Sequence, residues 1–166
     1  PSNSIQKTKT IEGTGALISP RHILTCAHNV YHRETKSEYF DLVFHLELDK
    51  PYFLKKSKII KTFFPVEYKN NEYEDYAVLE LNENIEEFGF LGLEPNFSIP
   101  INTNYYLYGY PESKCLNKNY SIWGMEGRSN NNGIKLWLKN QVLMYNVFHT
   151  EKGQSGSPVW FKETDS

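Results

Sequence analysis

Near one end of the chain runs Lys152-Gly153-Gln154-Ser155-Gly156-Ser157-Pro158-Val159. A serine between glycines, just before a β-type run, makes a poor core element. Glycine permits backbone shapes that other residues resist and lets a ligand approach the main chain. A serine held there can direct its hydroxyl and its own backbone N–H at one target, which is what acyl transfer requires of a nucleophile and its oxyanion donors. The same octapeptide reads equally well as a Gly/Ser turn between two strands. A hydroxyl stays inert until a base takes its proton. The suited base is a histidine held in one tautomer by a carboxylate. There are five histidines: His22, His28, His32, His45 and His149. His28 closes the apolar run Leu24-Thr25-Cys26-Ala27-His28, where a rigid strand would hand its side chain to a site. A single histidine is more often a surface or internally satisfied imidazole. The carboxylate candidate is Asp75, which leads the most apolar segment after the polar loop Asn70-Asn71-Glu72-Tyr73-Glu74. Such an aspartate is either a turn cap or the partner of a buried cation.

The elements that must position these groups read as strands. Short apolar, β-branched or aromatic runs are separated by turn residues, and no segment keeps a long helical period. Ala16–Ser19, the breaker Pro20-Arg21 and His22–His28 predict a hairpin whose second strand ends at His28. Residues 41–48 alternate, with Leu42, Phe44, Leu46 and Leu48 on one face. Further strands are predicted over residues 58–64 and 75–81. Ala27 to His32 has room for a single turn. Gly92, Pro95 and Pro100 break the pattern, which gives a linker over 92–104. Strands resume over residues 105–108, 121–124, 134–138, 142–148 and 159–161, with Asn130-Asn131-Asn132-Gly133 as a hairpin turn. The fold class is therefore all-β, a sandwich or barrel pair. The units are 1–91, carrying His28 and Asp75, the linker 92–104, and 105–166, carrying Ser155.

Composition narrows the function classes. The 166 residues are 39% hydrophobic and 23% charged, a folding composition. A net charge of −2 gives no basic excess, so nucleic acid is not implied as a partner. No apolar run reaches the roughly 18 residues of a membrane span. Pro1–Thr10 is polar and unlike a secretory signal. Two cysteines, Cys26 and Cys115, make no disulfide scaffold, although they could pair. His28 and His32 have the spacing of a zinc-binding helix but lack its glutamate, and no metal site or cofactor is expected.

Each signal is weak alone; together, in the chain order His, Asp, Ser, they are strong. Thr25-Cys26-Ala27-His28, Asp75-Tyr76-Ala77-Val78-Leu79 and Gly153-Gln154-Ser155-Gly156-Ser157-Pro158-Val159 resemble the three signature blocks of trypsin-like serine proteases. Gly15–Ser19 resembles the strand before the histidine. Tyr108-Gly109-Tyr110-Pro111 resembles the first strand of the second barrel in the glutamyl-endopeptidase-like branch. The resemblance runs from about Gly13 to Phe161. It implies two packed antiparallel β-barrels of the chymotrypsin type, with polypeptide substrates bound in the cleft between them. His28 would be the general base, Asp75 its orienting carboxylate and Ser155 the nucleophile, with the N–H groups of Gly153 and Ser155 as the oxyanion hole. Thr150 matches the pocket threonine of glutamyl endopeptidases, and His149 and Lys152 add positive character, which implies a preference for Glu or Asp before the cut. The resemblance also favours a secreted protein over a cytoplasmic one.

The sequence departs from that pattern in three places. Gln154 replaces the aspartate that pairs with a freed N-terminus in zymogen-activated relatives. No cysteine pair brackets His28, and Cys26 reads as a small core residue rather than a nucleophile. Eleven residues follow Ser155, so the second barrel is expected to be incomplete within this sequence. Two other readings stand beside a protease: a catalytically silent binding module on the same fold, and the protease part of a larger protease-chaperone. Oligomeric state is not legible.

Overall fold

The computed structural model describes residues 13–49, 52–93, 104–114, 123–128 and 149–162. Ten strands appear there: β1 (Ala16–Ser19), β2 (His22–Thr25), β3 (Tyr31–His32), β4 (Ser37–Glu38), β5 (Val43–Asp49), β6 (Tyr52–Phe63), β7 (Ala77–Leu81), β8 (Asn104–Gly109), β9 (Trp123–Arg128) and β10 (Val159–Phe161). The helical segments among the described residues are short 3₁₀ turns at Ala27–Asn29, Val66–Lys69, Glu72–Glu74 and Glu112–Lys114. The architecture is all-β. A curled antiparallel sheet in the order β1-β2-β7-β6-β5 forms the first half, a two-residue hairpin β3-β4 flanks it, and β10-β8-β9 forms the described part of the second.

Local chemistry explains the elements. The β1–β2 turn at Pro20-Arg21 is closed by Ser19, whose Oγ accepts the N–H groups of Arg21 and His22 at 3.2 and 3.0 Å. On β7 the alternate residues Ala77, Leu79 and Leu81 point inward, the period-two pattern of a strand with one wet face. Glu80, on the outer face, pairs with Arg21 at 3.2 Å and Lys61 at 3.0 Å. Ile23, Val30, Leu81 and Ile85 are almost wholly buried in the core, with Leu42, Phe44 and Leu46 packed against it. At about 25 cal/mol per Å² of apolar surface, such side chains each contribute roughly 1.5–3 kcal/mol. Tyr31, Phe64 and Tyr68 extend the core as an aromatic cluster, with ring centroids 5.2–6.4 Å apart. In the second half Tyr105 and Leu107 face inward, while Tyr106 and Tyr108 meet Trp160 across the sheet at 4.9 and 5.9 Å.

Several boundaries differ from the sequence expectation. The second strand of the first hairpin stops at Thr25, not His28. Its ladder with β7 ends where Thr25 faces Ala77, and the chain then tightens so that Val30 N–H donates to Ala27 O at 2.9 Å. His28 thus sits on a 3₁₀ turn. The strand placed at 75–81 starts at Ala77, leaving Asp75 as the cap of the preceding turn. Asp41 cannot open β5, because its φ is +54°, a turn conformation. β6 begins at Tyr52, before the predicted residue 58, because its pairing with β5 continues through Leu46↔Lys55 to Asp49↔Tyr52. β9 spans Trp123–Arg128 rather than 121–124, running the full length of β8. The strands predicted at 134–138 and 142–148, the turn at 130–133 and most of the linker over 92–104 lie outside the described residues. The chain stays on the first sheet as far as Leu91, whose N–H donates to Leu17 O at 2.9 Å.

Candidate active site

The turn after β2 and the cap before β7 put two of the three chemistry-bearing residues in contact. His28 Nδ1 lies 2.6 Å from Asp75 Oδ2, and the backbone N–H of His28 donates to Asp75 Oδ1 at 2.9 Å. A carboxylate can only accept, so Nδ1 carries the proton of this contact, and in the neutral ring the lone pair is then on Nε2. That is the tautomer in which an imidazole acts as a base toward a group on its far side. Burial by itself would raise the Asp75 pKa. The ring and backbone hydrogen bonds from His28, the charge of the imidazole and the N–H of Ala27 outweigh it and hold the carboxyl below the usual carboxylate range. The His28 side chain is 44% exposed, so its outer edge faces solvent where a substrate would arrive.

Ser155 reaches this pair through its main chain. Its carbonyl accepts Thr14 N–H at 2.8 Å and Asn29 Nδ2–H at 2.9 Å. Asn29, the neighbour of His28, also donates to Thr25 Oγ1 at 2.9 Å. Thr14 is 5% exposed and is bonded to both halves of the molecule. Its Oγ1 donates to Gly153 O at 2.9 Å and accepts Tyr110 N–H at 3.2 Å. Its carbonyl accepts Thr25 Oγ1–H at 2.7 Å. The serine loop is thereby pinned beside the histidine turn. No hydrogen bond among the described residues joins the Ser155 hydroxyl to the His28 ring. In unliganded sites such contacts are commonly long and tighten when substrate docks.

Two glycines make the loop possible. Gly153 and Gly156 have φ of +93° and +89°, values that L side chains resist. A Cβ on Gly153 would run into Tyr110 O, and one on Gly156 into Thr14 O and Thr25 Oγ1. Among the described residues, the N–H groups of Gly153 and Ser155 have no acceptor within the protein, which leaves both available to an incoming oxyanion. Ser157, the other serine of this loop, has its Oγ sealed from solvent, and a Cβ on Gly109 would strike that atom. Ser155 is half-exposed. Gln154 turns inward and is 5% exposed; its Oε1 accepts Glu151 N–H at 2.9 Å, so the residue that departs from the expected aspartate closes the loop.

The pocket candidates are less gathered. His149 and Thr150 are both exposed at the approach to the loop. Lys152 pairs with Glu112 at 2.8 Å, which commits its charge to the surface rather than to a pocket. Cys26 is a free thiol, so it is not paired with Cys115. Burial and the charge of Asp75 push its pKa up to about 11, offset in part by the Gly156 N–H. It is therefore protonated and no nucleophile at neutral pH. Two participants, Thr14 and Asn29, carry no signal in the sequence. Both act through backbone atoms more than 120 positions away.

The trypsin-like peptidase domain family matches residues 13–164. A solved Glu endopeptidase in complex with MPD superposes with a TM-score of 0.73 at 22% identity, covering 90% of this chain and 68% of that one. A thermostable serine protease, AL20, from an extremophilic microorganism gives 0.64 at 16%, covering 92% and 70%. The protease Anisep from Arthrobacter nicotinovorans gives 0.57 at 18%, covering 93% and 70%. At these identities the likeness is one of fold. No curated protein matches the chain.

Proposed function

The chain belongs to the trypsin-like peptidase domain family, and from that membership and the site geometry we propose that it is a serine endopeptidase working through an acyl-enzyme on Ser155. The observation that carries the reading is the 2.6 Å contact of His28 Nδ1 with Asp75 Oδ2, on a turn whose next residue, Asn29, holds the Ser155 carbonyl. In the proposed reaction Nε2 of His28 takes the Ser155 proton as Oγ attacks the scissile carbonyl. The ring then returns that proton to the leaving amine, and water repeats the sequence on the ester. Asp75 holds the ring and stabilises its cation without taking the proton. The N–H groups of Gly153 and Ser155 receive the oxyanion; one such donor contributes roughly 3–4 kcal/mol to the transition state.

A preference for Glu or Asp before the cut is the finer part of the proposal. It is supported by Thr150 and His149 at the approach to the loop and by the fold shared with a Glu endopeptidase. The test of the reaction is labelling by a fluorophosphonate probe together with cleavage of unstructured peptides. Both should vanish in Ser155→Ala. Probe labelling that survives this substitution ends the reading, and absence of labelling in the native chain favours the silent binding module. A peptide library varied at the residue before the cut tests specificity; a preference for Arg, Lys or Phe there removes the acidic preference.

A further inference from the structure

Beside the nucleophile loop, Cys26, His28 and Asp75 bring together one sulfur, one nitrogen and one oxygen donor, all within 4.8 Å of one another. The proposed hydrolysis uses the imidazole and the carboxylate but has no role for the thiol. Thiol, imidazole and carboxylate are the three ligand types that Zn²⁺ accepts, and three protein ligands with one position left to water is the usual form of an open zinc site. Tetrahedral bonds of roughly 2.0–2.3 Å put donors about 3.3–3.6 Å apart. The present spacing therefore has to change by no more than about 1.5 Å, with the 2.6 Å His28–Asp75 contact opening and any wider separation closing. The His28 and Asp75 side chains are 44% and 29% exposed, so a cation can reach them from solvent.

We propose that Cys26, His28 and Asp75 form a binding site for a borderline divalent cation of the Zn²⁺ type, and that filling it switches the hydrolytic site off. The sulfur–metal bond forms as the thiol S–H bond breaks, and the proton leaves to solvent. No oxidation occurs. The imidazole coordinates through Nδ1, the nitrogen that faces Asp75. Its proton must then sit on Nε2, where no lone pair is left to receive the Ser155 proton. The half of the proposal that concerns inhibition rests on the function proposed above; the half that concerns binding does not.

The test separates the two halves. Zn²⁺ and Co²⁺ are titrated into Ser155→Ala, which cannot turn over, on a Cys115→Ser background so that Cys26 is the one thiol. Co²⁺ should give a thiolate-to-metal charge-transfer band. Zn²⁺ binding should release one proton and weaken at least tenfold in Cys26→Ala and in Cys26→Ser. With Ser155 restored, Zn²⁺ should inhibit peptide hydrolysis reversibly on chelation, and Cys26→Ala should need at least tenfold more metal for the same inhibition. A charge-transfer band from a chain that hydrolyses nothing keeps the metal site and removes the enzyme. Zn²⁺ binding equal in Cys26→Ala and the parent, or a Co²⁺ complex without the sulfur band, overturns the site.

Discussion

Replacing Asn29 tests how the proposed nucleophile, Ser155, is held. Its Nδ2 donates to Ser155 O and to Thr25 Oγ1, both at 2.9 Å. A net hydrogen bond contributes about 0.5–1.5 kcal/mol, and more is lost when a buried partner is left unpaired. Neither acceptor is stranded here: Ser155 O keeps the Thr14 N–H, and Thr25 Oγ1 keeps its own bond to Thr14 O. Asn29→Ala should therefore cost about 1–2 kcal/mol, or roughly 2–8 °C in melting temperature for a chain of this size. If the carbonyl tether helps aim Ser155, kcat should fall about tenfold, which corresponds to about 1.4 kcal/mol, with KM little changed. Asn29→Asp separates the hydrogen bond from mere packing. The carboxylate has the same shape but turns two acceptor oxygens toward two more, in a half-buried place. Its cost should reach about 3–4 kcal/mol, because a partly desolvated charge gains no partner. Urea midpoints and steady-state hydrolysis of a peptide ester read both quantities. An aspartate variant as stable and as active as the alanine variant would refute the tether.

Gly156→Ala should be worse than either, losing about 3 kcal/mol or more in a melting experiment, since a methyl at a φ of +89° meets Thr14 O and Thr25 Oγ1; a variant that melts within 1 kcal/mol of the parent contradicts the fit. Asp75→Asn should keep the fold while lowering kcat by roughly four orders of magnitude, and a drop of less than tenfold removes Asp75 from the reaction. Because the folded Asp75 pKa is lowered, its carboxylate stabilises the native chain above the ordinary carboxyl pKa of roughly 4, and this is lost as pH falls through the folded value. The stability gap between parent and Asp75→Asn should therefore be widest near neutrality and close in acid, as followed by denaturant melts across pH. With its thiol pKa at about 11, Cys26 in a Cys115→Ser chain should alkylate slowly at pH 8 and quickly only after unfolding; fast labelling of the native chain at pH 8 would show a thiolate that burial and Asp75 do not suppress.

The chemistry-bearing residues were legible because each lies in a short segment with strong local character. An apolar strand ends before His28, a strand with one buried face follows Asp75, and glycines flank Ser155. Alternation over Phe44 and Leu46, continuing from Leu42 just before it, likewise marked the core face of β5. What stayed hidden was non-local. The early start of β6 is imposed by pairing with β5, which its own residues before Lys58 do not announce. The turn carrying His28 follows from the end of the β2–β7 ladder, which residue type alone does not announce. Thr14 and Asn29 look like ordinary polar residues, and their use depends on carbonyl groups more than 120 positions away.

The Thr14 bridge bears on how the chain survives its own synthesis. A molecule able to cut polypeptide is a hazard to every unfinished copy around it, itself included. Here the Ser155 carbonyl lies more than 120 positions after the groups that grip it, Thr14 N–H and Asn29 Nδ2–H. On the ribosome the portion with Thr14, His28 and Asn29 emerges before the loop that it anchors. In the proposed reaction the imidazole meets its serine only after that later loop has been made and has returned to its anchor, so cutting cannot precede the docking of the two segments.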